Sequence, residues 1–345
     1  MNGKVTQRDI AKEAGVSHVT VSLALRGHPG IPAQTQNRIK RIADAMGYVP
    51  DPMMSALSSY RKMQRPQAFQ ANIAWINNFK APGDLYRYDF NEYYEGARQR
   101  SRELGYQLEE YRVAEAGEDW RRLKRVLVNR GVQGVLLAPS ENPNAKFDLD
   151  LATFSAVRLG YSYSHPVLHT VANMQFTTAY SAVENLARLG YRRVGFVLGE
   201  DVQVRTGQRF VGGFKAAQSL LAKKDCIPML SLKENGDIPK QVAAWNRKHR
   251  PDSIVSLHGM WRYGQLLEAG LEIPDHIGYA DMSVPANESF LSGVCQNSRE
   301  VGVRAVDLLV GMIHRQEKGI PEHCAHLLID GYWIEGKTAR QVSFC

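Results

Sequence analysis

The chain has 345 residues and carries 43 Lys and Arg against 35 Asp and Glu, a formal charge of +8 at neutral pH. That length accommodates a small head plus a substantial α/β body, no apolar run reaches the roughly eighteen residues of a membrane span, and the N-terminus opens on polar, helix-capping sequence, so a soluble cytoplasmic protein is expected. Four widely spaced cysteines, Cys226, Cys295, Cys324 and Cys345, lack CxxC spacing and are expected as free thiols.

The first forty-eight residues read as three short helices. Thr6 is a candidate N-cap with Asp9 three residues on, an imperfect capping box, and Ile10, Ala11 and Ala14 make one apolar face up to Gly15. Ser17 is the next N-cap, and Val21 and Leu25, four apart, mark the buried side of a second helix ending at Gly27. Pro32 suits the first turn of a third helix, whose Ile39, Ile42, Ala43 and Met46 recur at helical spacing before Gly47. Two short helices joined by a Gly-containing turn form the helix-turn-helix pattern, although a small helical bundle with no DNA role has the same periodicity. Charge separates the two: residues 1–66 hold ten Lys/Arg against four Asp/Glu, a net +6 of the chain's +8. Positive charge concentrated in the first fifth of a chain is the footprint of a phosphate-binding module.

With Val5-Thr6, Ala14-Gly15-Val16-Ser17, Thr20-Val21-Ser22 and Gly47-Tyr48-Val49-Pro50 in place, this stretch resembles the DNA-binding domain of the lactose/galactose repressor (LacI/GalR-type) family. The resemblance runs on almost to the C-terminus. It implies that residues 1–49 are the DNA-binding domain, 50–71 a hinge helix and linker, and 72–345 an effector-binding and dimerisation core. The reading helix enters the major groove with its N-terminal residues toward the bases. His18, Val19 and Leu23 are then the base-reading candidates, while by family position Thr6, Ser17, Thr20 and Ser22 bind phosphates. The segment after Pro50 has helical composition and no neighbour to pack on, so alone it is a marginal helix. The family's minor-groove wedge leucine falls there, on Leu57, where an apolar side chain helps kink the duplex.

From Asn72 apolar strands alternate with amphipathic helices: strands at 73–76, 106–111, 132–137, 157–159, 194–198, 254–257 and 277–279, and helices over 94–104, 120–127, 174–189, about 214–221 and about 264–269. Such alternation predicts parallel sheets with helices on both faces, and at this length two sheets rather than one. The family resemblance, supported by the stretches 187–197 and 269–279, implies a periplasmic-binding-protein type I core. Its two Rossmann-like lobes are expected over about 72–170 with 298–324 and about 171–297 with 325–345, with an effector cleft between them. By family position the cleft candidates are Asn173, Arg209, Phe210, His258, Asp281 and Gln296, with Phe90, Tyr161 and Trp261 on nearby loops. Core packing is at least an equal alternative for each of these nine. The family's polar grip on sugar hydroxyls is weakened here, since its Asn-Asp pair aligns with His258-Gly259 and its cleft arginine with Phe210.

Gly331 to Thr338 matches the phosphate-loop pattern GxxxxGK[ST], but Tyr332, Trp333 and Ile334 fill the loop and no helix can follow, so a C-terminal strand is expected instead. His323, Cys324 and His326 read as an exposed loop rather than a metal site. No catalytic motif is present, and no cofactor is expected. The reading is a homodimeric transcription regulator, a repressor, that binds a near-palindromic operator on double-stranded DNA and senses a small molecule such as a sugar. The competing class, a transport-type binding protein, is disfavoured by the basic head.

Overall fold

Capping chemistry sets the helices of the head, α1 (Gln7–Ala14), α2 (His18–Leu25) and α3 (Ala33–Ala45). The computed structural model describes residues 5–25, 30–48, 69–78, 88–113, 117, 119–140, 142, 146–288 and 290–342. Residues Met1–Ala68 and Phe69–Cys345 form two separate units. In the first unit, the Thr6 amide and hydroxyl both donate to the Asp9 carboxylate, at 2.8 and 2.7 Å, which closes the first turn of α1. The hydroxyl bond and then the amide hold the Asp9 carboxyl below the usual carboxylate range. Gly15 leaves the helix at φ 62°, a left-handed conformation that favours glycine. Ser17 Oγ then accepts the Thr20 amide at 3.0 Å and caps α2.

Ile10, Ala11, Ala14, Val21, Ala24, Ile39 and Ala43 make the head's core, with Leu25, Ile42 and Met46 packed around it. The buried edge of α2 therefore runs through Val21 and Ala24, and Leu25 is only half-buried. Pro32 sits one residue outside α3, as its extended N-cap. Arg38 Nη2 donates to the Ala14 carbonyl at 3.1 Å, and Gln7 Nε2 to the Tyr48 hydroxyl at 3.0 Å. These two bonds tie α3 to the end of α1 and the segment after α3 back to its start.

The second unit contains two six-stranded sheets. The first is built from β1 (Ala71–Asn77), β2 (Tyr106–Arg112), β3 (Val132–Leu137), β4 (Ser155–Leu159), β5 (His169–Asn173) and β11 (His326–Ile329). Their order is β11-β5-β4-β3-β1-β2, and every pairing is parallel. The second sheet has β6 (Val194–Gly199), β7 (Leu230–Leu232), β8 (Ser253–Ser256), β9 (Gly278–Asp281), β10 (Ser292–Cys295) and β12 (Tyr332–Ile334). Its order is β12-β10-β9-β8-β6-β7, and β12 pairs antiparallel, an exception to the expected parallel pattern. Because β11 pairs with β5, residues 326–329 belong to the first sheet, and the last crossing falls between β11 and β12 rather than at 325.

Helices cover both faces of each sheet. On the first, α4 (Tyr88–Glu103) and α11 (Ser298–Arg315) bury Ala97, Val301 and Leu309 against Trp75, Leu136 and Val157. On its other face, α5 (Trp120–Asn129) packs Leu123 and Leu127 over Ile76, Val135 and Ala156. On the second sheet, α6 (Gln175–Arg188) and α8 (Arg209–Ala217) bury Leu186, Phe210 and Phe214 against Phe196 and Val255. Opposite them, α9 (Ile238–His249) and α10 (Gly259–Glu268) set Trp245 and Leu266 over Val197 and Ile254. A short α7 (Glu200–Arg205) precedes α8. The helix expected near 214–221 begins earlier, at Arg209, and ends in a 3-10 turn over Gln218–Leu220.

Small residues allow close helix approach. An added Cβ at Gly302 of α11 would lie 2.0 Å from the Tyr93 carbonyl oxygen of α4, and one at Gly213 of α8 would lie 2.1 Å from the Phe176 carbonyl oxygen of α6.

Candidate functional site

Two places in the chain gather the side chains singled out by sequence. In the head, His18 and Val19 open α2 and face solvent, with Val19 63% exposed. Leu23, one turn beyond Val19, is half-buried. An imidazole and an apolar side chain held at a helix N-terminus can contact base edges, the latter a thymine methyl group. Thr6 and Ser17 are exposed, Thr20 and Ser22 half-buried. The Ser17 and Thr20 hydroxyls lie 2.8 Å apart, so they offer a paired hydroxyl surface beside His18 and Val19. Arg8, Lys12, Lys40 and Arg41 are exposed on the same unit. Leu57 lies outside the described residues.

The second place lies between the sheets of the body. Polar side chains knit the crossover strands: the Tyr93 hydroxyl donates to Asn173 Oδ1, Asn173 Nδ2 to the Gln296 carbonyl at 2.7 Å, and Gln296 Nε2 to the Met282 carbonyl at 2.7 Å. Asn173 and Gln296 are thereby buried and held by neighbours on both lobes. Asp281 is fully buried at the end of β9 and accepts the Gly259 amide at 2.7 Å, the Tyr279 hydroxyl at 2.6 Å and the Ser283 amide at 2.8 Å. Its carboxylate fastens the start of α10. Burial first, then the Asp281 charge, pushes the Tyr279 phenol well above its ordinary range. Phe210 is buried in the core beneath α8 and faces packing partners, which is what its apolar side chain demands.

Two guanidinium contacts span the lobes. Arg209, at the start of α8, lies 3.5 Å from the centre of the Tyr161 ring, and Arg205 lies 5.8 Å from that of Phe90. Both are cation–π arrangements. Tyr161 in turn meets His326 of β11 edge-on at 5.7 Å. Burial, then the charges of Arg158 and Arg209, lowers the His326 imidazole below its ordinary 6.5. On the second lobe, His258 adopts φ 94° and meets Trp261 edge-on at 5.7 Å. Trp261 is 56% exposed, and beneath it Arg262 is fully buried, paired with Glu234 at 2.7 Å.

Sequence reasoning missed Arg158, Arg205, Arg262 and His326 as cleft-region groups. A charged residue inside an apolar strand, Arg158 in Val157-Arg158-Leu159, was the available signal. His326, expected in a loop, begins an edge strand. Among the described residues no group of His, Cys, Asp or Glu could hold a metal ion, Cys226, Cys295 and Cys324 are free thiols, and no helix is long and apolar enough to cross a membrane. Thr338 is buried and donates to the Tyr279 carbonyl at 2.9 Å, a structural use of the phosphate-loop-like stretch.

Residues 6–51 match the family model described as "Bacterial regulatory proteins, lacI family". Over 323 residues the chain is 24% identical to the ribose operon repressor of Haemophilus influenzae, covering 89% of this chain and 92% of that one. It is 23% identical over 324 residues to the transcriptional repressor CytR of Escherichia coli, covering 91% of each. Among solved structures, a lac repressor dimer bound to operator and the anti-inducer ONPF superposes with a TM-score of 0.55 at 17% identity, covering 97% of this chain and 99% of that one. A complex of the regulator CelR with cellobiose gives the same TM-score and identity over 97% and 100%. Residues 6–51, the capped helix-turn-helix, thus match the lacI family of bacterial regulatory proteins, and over about nine-tenths of its length the chain is similar to proteins named as repressors.

Proposed function

We propose that the protein is a sequence-specific DNA-binding transcription repressor, acting in the cytoplasm as a homodimer on a near-palindromic operator and switched by a small molecule bound between the two lobes of its body. The observation that carries this reading is the exposure of His18 and Val19 at the start of a capped second helix, in an N-terminal stretch, residues 1–66, that holds +6 of the chain's net charge of +8. Relatives named as repressors, and structural neighbours described with bound operator, ribose or cellobiose, support it. The division into a head over 1–49, a hinge over 50–71 and a core over 72–345 is part of the same proposal. Within it, Leu57 is the minor-groove wedge, and Phe90, Tyr161, Arg209, His258 and Trp261 line the cleft. Asn173 and Gln296 set the crossovers, while Asp281 and Phe210 shape the cleft from within the core. The chemistry is binding and conformational switching rather than catalysis.

Closing two lobes around a ligand changes their relative angle, and in a dimer this alters the spacing of the two hinges and so the fit of both heads to one operator. An effector acts this way by favouring one lobe arrangement, typically by about 1–3 kcal/mol. The test is selection of bound sequences from a genomic fragment library by the full-length protein, followed by footprinting with and without candidate metabolites. A two-half-site footprint is expected, and equal affinity for every sequence would sink the reading.

A further inference from the structure

The lobe junction contains a group of basic side chains with no acidic partner among the described residues. Arg158, on β4, is only 7% exposed. Its Nε donates to Thr170 Oγ1 and its Nη1 to the Tyr163 carbonyl, both at 2.7 Å and both to neutral acceptors. The strand register sets Arg158, Thr170 and His326 in one row across β4, β5 and β11. From the other lobe, the Arg209 guanidinium lies over Tyr161, which meets His326, and Arg209 donates to the Thr206 carbonyl at 3.0 Å. Among the described residues neither Arg158 nor Arg209 forms an ion pair. Their neighbours do: Arg205 has Asp201 at 4.0 Å, and buried Arg262 has Glu234 at 2.7 Å.

A guanidinium taken out of water without a counter-anion is costly, and buried charges in folded proteins are paired. Arg158 and Arg209 are also close enough for each to oppose protonation of His326, so the positive potential at this spot is cumulative. We propose that the cleft ligand carries an anionic group, a carboxylate or a phosphate ester, seated among Arg158, Arg209 and His326, with the Tyr161 ring beside it. This rests on the reading of the cleft as the effector site and narrows the ligand class from neutral sugars to sugar acids or sugar phosphates. The planar fork of Arg209 suits bidentate contact with either group. Displaced from Tyr161 by a few ångströms, it would bridge the lobes through the anion and so couple ligand binding to lobe angle.

The experiment uses the full-length protein at constant ionic strength. Thermal melts and calorimetric titrations are run with inorganic phosphate, hexose phosphates, hexonates and the corresponding neutral hexoses. At least one hexose phosphate or hexonate is expected to bind more tightly than its neutral parent, and which series binds separates phosphate from carboxylate. Arg209→Gln, at a half-exposed position, is expected to weaken that binding roughly tenfold to a hundredfold, and Arg158→Lys to weaken it while keeping a positive charge. Should Arg158→Lys fail to fold, the Arg209→Gln comparison decides. The proposal is overturned if no anionic compound binds better than its neutral parent, or if Arg209→Gln binds the anionic compound as wild type does. A neutral hexose that binds the cleft and shifts operator affinity would overturn this inference and leave the repressor reading intact. Loss of selective DNA binding would instead strike the repressor reading itself.

Discussion

His18 and Val19 differ from their neighbours Ser17 and Thr20 in what their side chains are free to do. The two hydroxyls are bonded to each other and to the helix start, whereas the imidazole and the isopropyl group project outward. His18→Ala and Val19→Ala are expected to change which bases are preferred, each good base contact being worth about 1–3 kcal/mol of discrimination. Thr20→Ala should weaken all sites about equally, and Ser17→Ala should also lower the head's stability by about 1 kcal/mol through loss of the cap. Binding-site selection on each variant reads the first effect, and a thermal melt the second. His326 offers a second residue-level test. Burial and two guanidiniums lower its pKa below 6.5 in the fold, so between the folded value and 6.5 the unfolded chain binds more protons. Its contribution therefore falls as pH drops through 6.5 and is restored above it. Proton NMR of the imidazole should show a midpoint below 6.5, and Arg209→Gln should move it upward. An unchanged midpoint in that variant would show that Arg209 does not act on this ring.

Among the elements, the helix pairs α4/α11 and α6/α8 are limited by backbone contact rather than side-chain volume. A methyl group at Gly302 or Gly213 would meet a carbonyl oxygen at 2.0 or 2.1 Å, and neither neighbour is a side chain that can rotate away. Gly302→Ala and Gly213→Ala should each destabilise the body by roughly 1–3 kcal/mol or more, read as a lower denaturant midpoint with the head's DNA contacts unchanged. Phe210, by contrast, stacks its helix on the sheet. Phe210→Ala should cost about 3–5 kcal/mol of stability and leave ligand affinity of the folded fraction near wild type. A mutant that kept its stability and lost ligand binding would return Phe210 to the cleft.

For the whole molecule, the balance of +6 in residues 1–66 against +8 overall predicts that the body repels DNA little and attracts it little. Operator affinity should fall steeply and linearly with the logarithm of salt concentration, with a slope set by the phosphates that the head neutralises. Effector affinity for a neutral probe should hardly change. Leu57→Ala should reduce both operator affinity and DNA bending, by a few kcal/mol at most if unstacking dominates, while the body melts as before. Wild-type bending by this variant, measured by gel mobility of permuted fragments, would make residues 50–71 a plain linker.

Local chemistry was enough for much of this protein. The caps Thr6 and Ser17, the turn glycine Gly15, the apolar spacing through Ile10, Val21 and Ile39, and the clustering of charge are all decided within a few residues, so the three helices of the head and the exposure of His18 and Val19 were legible from sequence. The alternation of apolar strands and helices likewise pointed to parallel sheets, because that pattern reflects burial on both faces of each strand. Only the tertiary structure decided what lies far apart in sequence. Whether β11 joins the first sheet or the second depends on pairing His326 with Thr170, 156 residues away, and no local pattern encodes that choice. The same holds for Asp281 and Phe210, whose side chains could serve a ligand or the core until Gly259, Tyr279 and the sheet beneath α8 claim them. Arg158, Arg209 and His326 come together from three elements on two lobes. Their shared positive potential exists only once the chain has folded, since electrostatic coupling depends on distance in space and not on separation along the sequence.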